Sequence, residues 1–383
     1  MGGGSALGAR GGGGERGVAD QPRGGGRAGG GSALGARGRV VICATQVPFA
    51  WGGAEILVEC LRDQLRARGF EAEVVTLPFQ WPQRLDLAKS GLAWRLLDLR
   101  QVGGRRVDLV IGTRFPSYLV RHPHKVVWLI HQLRQVYDLL GTPYSDFAAD
   151  QPRDARAIAM VRAMDRRGLG EARRVFTISG NVAARLQRHN GIAARVLYPP
   201  PRLDGRLRGG PFGDAVFTIG RLDEIKRVDL LIRALRHTEH PVRARIAGSG
   251  PQREALGELA ARLGVGERVD FLGFVADEQV VEEYAQCLGA FYAPYDEDYG
   301  FVTVEAFQAG KPVVTTADAG GVLELVEDGG NGFVCAPEPR AIAARLDRLW
   351  ADRDAARRMG EAGRERVREI AWDRVIEQLV GDA

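Results

Sequence analysis

The sequence predicts an α/β protein made of two Rossmann-like βαβ domains of similar size that face each other across a cleft. Three observations carry that prediction. Short, continuous apolar runs alternate with stretches of helical period; the alternation breaks at a segment rich in proline, glycine and arginine; and it then starts again. A length of 383 residues suits two such domains, and 45% apolar with 26% charged residues is enough to build a core in each.

Residues 1–38 stand apart from this pattern. GGGSALGARG at Gly2–Gly11 recurs at Gly29–Gly38, and a stretch so poor in apolar side chains is expected to be a disordered leader. It lacks the apolar centre of a signal peptide. Arg10, Arg16, Arg23, Arg27, Arg37 and Arg39, set against Glu15 and Asp20, account for +4 of the net charge of +5. The body is therefore close to neutral, which gives no support to a nucleic-acid partner.

The first domain is expected over 39–198. RVVICAT reads as a buried strand, and Ile56, Leu57, Cys60, Leu61 and Leu65 then recur at helical spacing up to Gly69. Further strands are expected at 72–77, 107–112, 125–130 and 173–179. PPPRLDGRLRGGPFG, at 199–213, reads as a linker. The second domain, 214–365, has strands at 215–220, 242–248, 268–273, 288–293 and 312–316, with helices over 226–236 and 252–263. The last segment, 366–383, contains a helix whose stripe of Trp372, Val375, Ile376 and Leu379 is suited to packing back on the first domain.

No stretch approaches the roughly 20 apolar residues of a membrane-spanning helix. Cys43, Cys60, Cys287 and Cys335 lie far apart, so neither a disulfide scaffold nor a zinc site is expected, and a reducing cytoplasm fits.

Ligands of open parallel sheets sit beyond the carboxyl ends of the strands. The stretch YAPYDEDYGFVTVEAFQAGKPVVTT puts Glu297 in such a loop and Glu305 in the first turns of the helix that begins near Phe301. The free amides of Gly300, Phe301 and Val302 then form an anion site at a helix N-terminus, although acidic residues there also serve as simple caps. Arg221 follows the strand AVFTIG and Lys226 opens the next helix, a pair suited to the two phosphoryl groups of a diphosphate; Arg227 reads as a solvated helix start. Trp51-Gly52-Gly53-Ala54-Glu55 allows close approach of backbone to phosphate, but neither it nor the Gly248–Gly250 turn completes a dinucleotide fingerprint. His131 follows the strand KVVWLI at the cleft edge. Asp296-Glu297-Asp298 spells D-x-D, a pattern discounted as a metal site because Lys226 and Arg221 supply the same electrostatics. Seven arginines between Arg153 and Arg174 read as a solvated helix face, or as a peripheral contact with anionic lipid headgroups.

Taken together, E-x7-E (Glu297, Glu305), the GRL…K element (Arg221, Lys226), AGGVLELVEDGGNGF and the Trp372 helix resemble the retaining glycosyltransferases of family 4, which have the GT-B fold. The resemblance runs over nearly the whole chain from Arg39. It implies that Arg221 and Lys226 hold the diphosphate of a nucleotide-sugar donor, with Gly52 and Gly53 approaching from the first domain. It implies further that Glu305 binds the ribose, that Val275 meets the nucleobase, and that Glu297 with Gly300, Phe301 and Val302 meets the transferred sugar. His131 is implied beside that sugar as a catalytic group with Glu297, and Arg114 and Tyr137 in the acceptor pocket. The implied reaction transfers the sugar to a lipid, polysaccharide or small-molecule acceptor with retention and without a metal cofactor, in the cytoplasm or peripherally at the inner membrane face. The alternatives are an epimerase or phosphorylase of the same fold, or a silent nucleotide-sugar-binding subunit.

Overall fold

Strand β1 (Arg39–Gln46) has six consecutive buried residues, the signature of a strand covered on both faces. The structure, a computed structural model, describes residues 37–49, 51–79 and 84–381; the leader expected over 1–38 lies almost wholly outside them. After β1 come α1 (Gly53–Ala67), β2 (Glu71–Pro78), α2 (Arg84–Leu96), β3 (Leu109–Arg114), β4 (Lys125–His131), α3 (Pro152–Gly170), β5 (Arg174–Thr177), α4 (Gly180–Asn190) and β6 (Arg195–Val196). They form a six-stranded parallel sheet in the order β2-β1-β3-β4-β5-β6.

The second half repeats the plan. It runs β7 (Ala215–Ile219), α5 (Val228–Leu235), β8 (Arg243–Ala247), α6 (Arg253–Arg262), β9 (Val269–Gly273), α7 (Asp277–Gln286), β10 (Gly289–Phe291), α8 (Phe301–Gln308), β11 (Val313–Thr316), β12 (Gly332–Cys335) and then the helices α9 (Pro339–Ala351), α10 (Arg353–Val367) and α11 (Trp372–Val380). Its sheet is also six-stranded and parallel, ordered β9-β8-β7-β10-β11-β12. The order reverses at β1/β3 in the first sheet and at β7/β10 in the second. At such switch points adjacent loops diverge and open a crevice.

The apolar stripe of α11 buries Trp372, Val375, Ile376 and Leu379. It packs on the first sheet: the Trp372 ring meets Trp128 of β4 edge-on at 6.3 Å, and Arg174 of β5 donates to the Leu379 carbonyl at 3.2 Å. One buried core extends from the first sheet through α11 into α8, and a second lies around α5, α6 and α9.

Three details differ from the sequence reading. The linker is strapped to the second half: Arg206 pairs with Asp277 and Glu278 of α7 at 3.2 and 2.8 Å, and Arg208 with Glu282 at 2.6 Å. Buried Lys311 also donates to the linker carbonyls of Gly210 and Pro211. Strands β6 and β12 lie outside the expected set, since β6 is two exposed residues at a sheet edge and β12 lacks an apolar run of useful length. Finally, Lys226 closes a short 3-10 turn, Glu224–Lys226, and α5 starts only at Val228. Arg227 between them has φ +50° and is not a solvated helix start. Its guanidinium grips Asp318 at 2.7 Å and the carbonyls of Ala293 and Pro294, tying the carboxyl ends of β10 and β11 together.

Candidate functional site

The loop after β10 carries Glu297 to the carboxyl edge of the second sheet and lies along Asp318–Gly321. The amides of Asp296 and Glu297 donate to the carbonyls of Asp318 and Ala319, and the Gly321 amide returns a bond to the Glu297 carbonyl. This approach depends on Gly320, at φ +64°, where a Cβ would stand 2.6 Å from the Glu297 carbonyl oxygen. Gly300, at φ +90°, then turns the chain into α8, and a Cβ there would lie 2.9 Å from the Tyr292 ring.

Lys226, which the chain order separates from Glu297, meets it here in an ion pair, and its ammonium also reaches the Tyr292 hydroxyl at 3.2 Å. Tyr292 in turn donates to Glu297 Oε2 at 3.0 Å. Burial opposes both charges, but each holds the other: the Lys226 pKa is raised and that of Glu297 lowered. An ammonium has three donors, and Glu297 and Tyr292 occupy two. Its side chain remains 25% exposed, so the third can meet an incoming anion.

The first half supplies the opposite wall. Gly53, the first residue of α1, faces the Phe301 ring at the start of α8, with a Cβ position 3.5 Å from the ring. The amino ends of two helices therefore meet, both with positive dipole ends. The Gly52 amide donates to Glu55 Oε2 at 3.0 Å, and Glu55 also pairs with Arg114. His131 ends β4, half-buried, with Nδ1 2.7 Å from the Gln132 carbonyl oxygen. A carbonyl only accepts, so Nδ1 carries the hydrogen and Nε2 of the neutral ring is left as an acceptor. Burial lowers the His131 pKa, with Asp298 pulling the other way, which favours that neutral form.

Other predicted residues stand further from this cluster or have other partners. Arg221 is more than half exposed and pairs with Asp223 at 3.0 Å rather than with Glu297. Val275 is buried below the loop after β9, beside an exposed Phe274. Val302 is buried in the first turn of α8. Tyr137 is buried, and its hydroxyl donates to Asp165 Oδ2 at 2.8 Å within the core of the first half. Its hydroxyl is thus turned toward a buried carboxylate, which Tyr118 and Gln132 also hydrogen-bond. Arg114 lines a cavity of about 210 Å³ at the carboxyl edge of β1 and β2, with Thr45, Trp51, Glu55, Glu59 and Arg62.

Glu305, one turn into α8, accepts from Tyr284 at 2.8 Å. Burial pushes its carboxyl up from 4.5 to about 7, against the Tyr284 hydrogen bond. A carboxyl raised in the folded state contributes stability that is complete below its unfolded value and is lost as pH rises through about 7. Glu305→Gln is accordingly expected to match the native chain near pH 4.5 and to exceed it at pH 8.5 by up to about 3 kcal/mol in urea denaturation. Equal stability at both pH values would contradict a strained carboxylate at this position.

The sequence reading missed the residues that join the halves. Arg185 of α4 pairs with Asp298 and with Asp296 at 2.9 Å, and Arg134 donates to the Asp296 carbonyl at 2.7 Å and approaches Asp298 at 3.6 Å. Asp138 backs both arginines from the first half. These guanidiniums, with His131, overcome burial and hold the Asp298 carboxyl down at about 2. The two aspartates of D-x-D thus serve as arginine partners, and the described residues contain no group of His, Cys, Asp and Glu able to hold a metal ion. Glu324 caps α4 from the other half, accepting from the amides of Gly180 at 2.8 Å and Asn181 at 2.6 Å. The only sequence signal for this network was D-x-D itself and the acid in GGVLE.

Two six-stranded parallel sheets, each with a switch point, whose halves are joined at the loop after β10, define a GT-B protein. The solved structures agree. Sucrose-phosphate synthase from Thermosynechococcus elongatus superposes with a TM-score of 0.72 at 20% identity, covering 89% of this chain and 97% of that one. Anabaena HepE, solved in complex with UDP-glucose, gives 0.65 at 21% identity, covering 89% of this chain and 98% of that one. Residues 213–366 match the family described as glycosyl transferases group 1, in line with the resemblance read from the sequence. A D-inositol 3-phosphate glycosyltransferase of Nocardia farcinica is 36% identical over 173 residues, which is 42% of this chain and only 38% of that relative's length. No described helix is long and apolar enough to cross a membrane.

Proposed function

We propose that the protein is a glycosyltransferase that moves a sugar from a nucleoside-diphosphate sugar to a hydroxyl acceptor with retention of configuration. The observation that carries this is the Lys226–Glu297–Tyr292 cluster at the β7/β10 switch point, beside the amino end of α8. Breaking the anomeric C–O bond leaves negative charge on the diphosphate. Lys226 and the amides of Gly300, Phe301 and Val302 are fixed in advance where that charge develops, which is the most effective form of electrostatic catalysis. Arg221, exposed at the rim, folds inward onto the second phosphoryl group when donor binds. Glu297 lies beside the sugar and opposes the positive charge that grows at the anomeric carbon. Glu305 takes the ribose hydroxyls, the Val275 backbone meets the base, and Gly52 and Gly53 let the first half close over the phosphates. His131 Nε2 accepts a hydroxyl of the sugar or the acceptor. The acceptor hydroxyl attacks on the face from which the diphosphate leaves, and a phosphate oxygen takes its proton.

The acceptor end is proposed to enter the cavity beside Arg114. Glu55 and Glu59 there balance Arg62 and Arg114, an arrangement suited to an uncharged, hydroxyl-bearing group of a lipid, polysaccharide or small molecule. The exposed arginines of α3, among them Arg153, Arg156 and Arg166, supply positive surface for peripheral association with a membrane at the inner face.

The rival readings find less support. A pyridoxal-dependent phosphorylase needs a free lysine, whereas Lys125 and Lys311 are buried on backbone carbonyls, Lys89 pairs with Asp86 and Lys226 with Glu297. A nucleotide-sugar epimerase or a silent subunit would bind donor without passing sugar to an acceptor. The test is to screen nucleotide sugars for a rise in melting temperature and to follow a labelled sugar from the stabilising donor. Transfer to an acceptor supports the proposal; binding without transfer rejects it. Because arginines occupy Asp296 and Asp298, turnover is expected to survive chelation by EDTA. A strict requirement for manganese, measured in the same assay, would overturn metal independence.

A further inference from the structure

At the opposite edge of the first sheet lies a larger cavity, of about 770 Å³, between the end of α2, the Arg121–Pro123 loop and the end of α3. Lys125, which lines it, begins β4, and His131 ends the same strand. Six residue steps separate them, roughly 20 Å at the rise of a β-strand. This cavity is therefore separate from the candidate site, and a ligand there is independent of the transferase reading.

Its charges do not balance. One carboxylate, Glu171, is shared by three cations: Arg95 in direct contact, and Lys125 and Arg167 each at 3.5 Å. Arg100 and Asp98 cancel each other at 2.6 Å. Arg121, exposed on the wall, has no carboxylate partner among the described residues. The surplus is about three positive charges in a concave site, where the field of fixed charges is concentrated. Lys125 spends its donors on the carbonyls of Tyr118, Val120 and Gly168 and adds only its field, so Arg121 and Arg167, with Arg95 behind them, are the cations left to meet the oxygens of a phosphate group.

The rim is apolar. Leu92 and Leu96, one turn apart on α2, are 57% and 74% exposed, and Leu96 itself lines the cavity. Leucines so exposed gain nothing from a soluble phosphate, but they would bury in acyl chains beneath a headgroup. We infer that this cavity binds the phosphate of an anionic lipid headgroup, with Leu92 and Leu96 entering the bilayer surface. Arg121 and Arg167 reach the phosphate first, because they are the exposed cations of the set.

The experiment is co-sedimentation of the full chain with vesicles of phosphatidylcholine alone or mixed with phosphatidylglycerol. Binding is expected to the mixed vesicles only, and the double variant Arg121→Glu with Arg167→Glu is expected to lose it at least tenfold. The pair Arg357→Glu with Arg358→Glu, equal in charge change, exposed on α10 and outside the surface assigned to the membrane, is the control and is expected to lose less than twofold. Equal loss in both pairs would mean diffuse attraction, including that of the basic leader, and would overturn the site. Circular dichroism melting of each variant confirms folding; should the Arg121/Arg167 variant unfold, Leu96→Asp gives the same reading, with an expected loss of at least fivefold. Glycerol 3-phosphate serves as the soluble arm. If it stabilises the protein to heat while Leu96→Asp leaves vesicle binding unchanged, the cavity takes free phosphates and the lipid assignment fails.

Discussion

Lys226→Ala is expected to weaken nucleoside-diphosphate binding by about 2–5 kcal/mol, the usual cost of truncating one partner of a buried charge pair. On a titration calorimeter that is a rise in Kd from roughly thirty-fold to more than a thousand-fold, with UDP as the probe. Two losses combine. The diphosphate forfeits a fixed cation, and Glu297 is left buried with its carboxylate facing the phosphates it no longer shares a lysine with. Lys226→Arg should recover part of the affinity, since charge is restored while the geometry around Tyr292 is not. Affinity unchanged in Lys226→Ala would remove this residue from the donor site and, with it, the main support for the proposed mechanism.

The second large effect is expected on the fold. Arg185, with a side chain only 6% exposed, lies among Asp138, Asp296 and Asp298, and it also donates to the Asp296 carbonyl at 2.6 Å. Arg185→Ala leaves three carboxylates to Arg134 alone. Removing one member of a buried ion network costs about 3–5 kcal/mol, because the remaining charges keep their desolvation penalty and lose their compensation. Urea denaturation should show that loss, and limited proteolysis should show faster cutting at the junction of the halves, where Arg185 joins α4 to the loop of Glu297. A change below about 1 kcal/mol would place these pairs among the weak surface contacts.

The two effects separate binding from architecture. Lys226 belongs to the second half and faces the anion, so its loss should register mainly in affinity. Arg185 belongs to the first half and touches no proposed donor atom, so its loss should register mainly in stability. The reverse pattern would show that the cluster around Glu297 is structural and that the cleft network is the binding element.

Much of this site could be read from the chain alone, for a local reason. E-x7-E places one carboxylate in a loop and the other a turn into the following helix, and a glycine between them marks where the backbone must turn; all three statements depend on near neighbours in sequence. The alternation of apolar runs with helices is likewise local, and it led to two parallel sheets. Arg227 shows the limit. A basic residue at a helix start is ordinarily solvated, and only the assembled sheet reveals that its side chain spans β10 and β11 to reach Asp318.

By itself the sequence determined the α/β class, the repeated βαβ plan and the presence of a lysine and a glutamate in strand-end loops of the second half, with a second glutamate in the helix that follows. Only the tertiary structure decided that Lys226 closes on Glu297, that Tyr137 turns toward Asp165, and that Arg134, Arg185 and Glu324 bind the halves together. Periodicity reports which face of an element is buried, because burial follows from the pitch of a helix or strand. Pairing between groups tens to more than a hundred positions apart follows from where the sheets place their loops, and no local pattern carries that information.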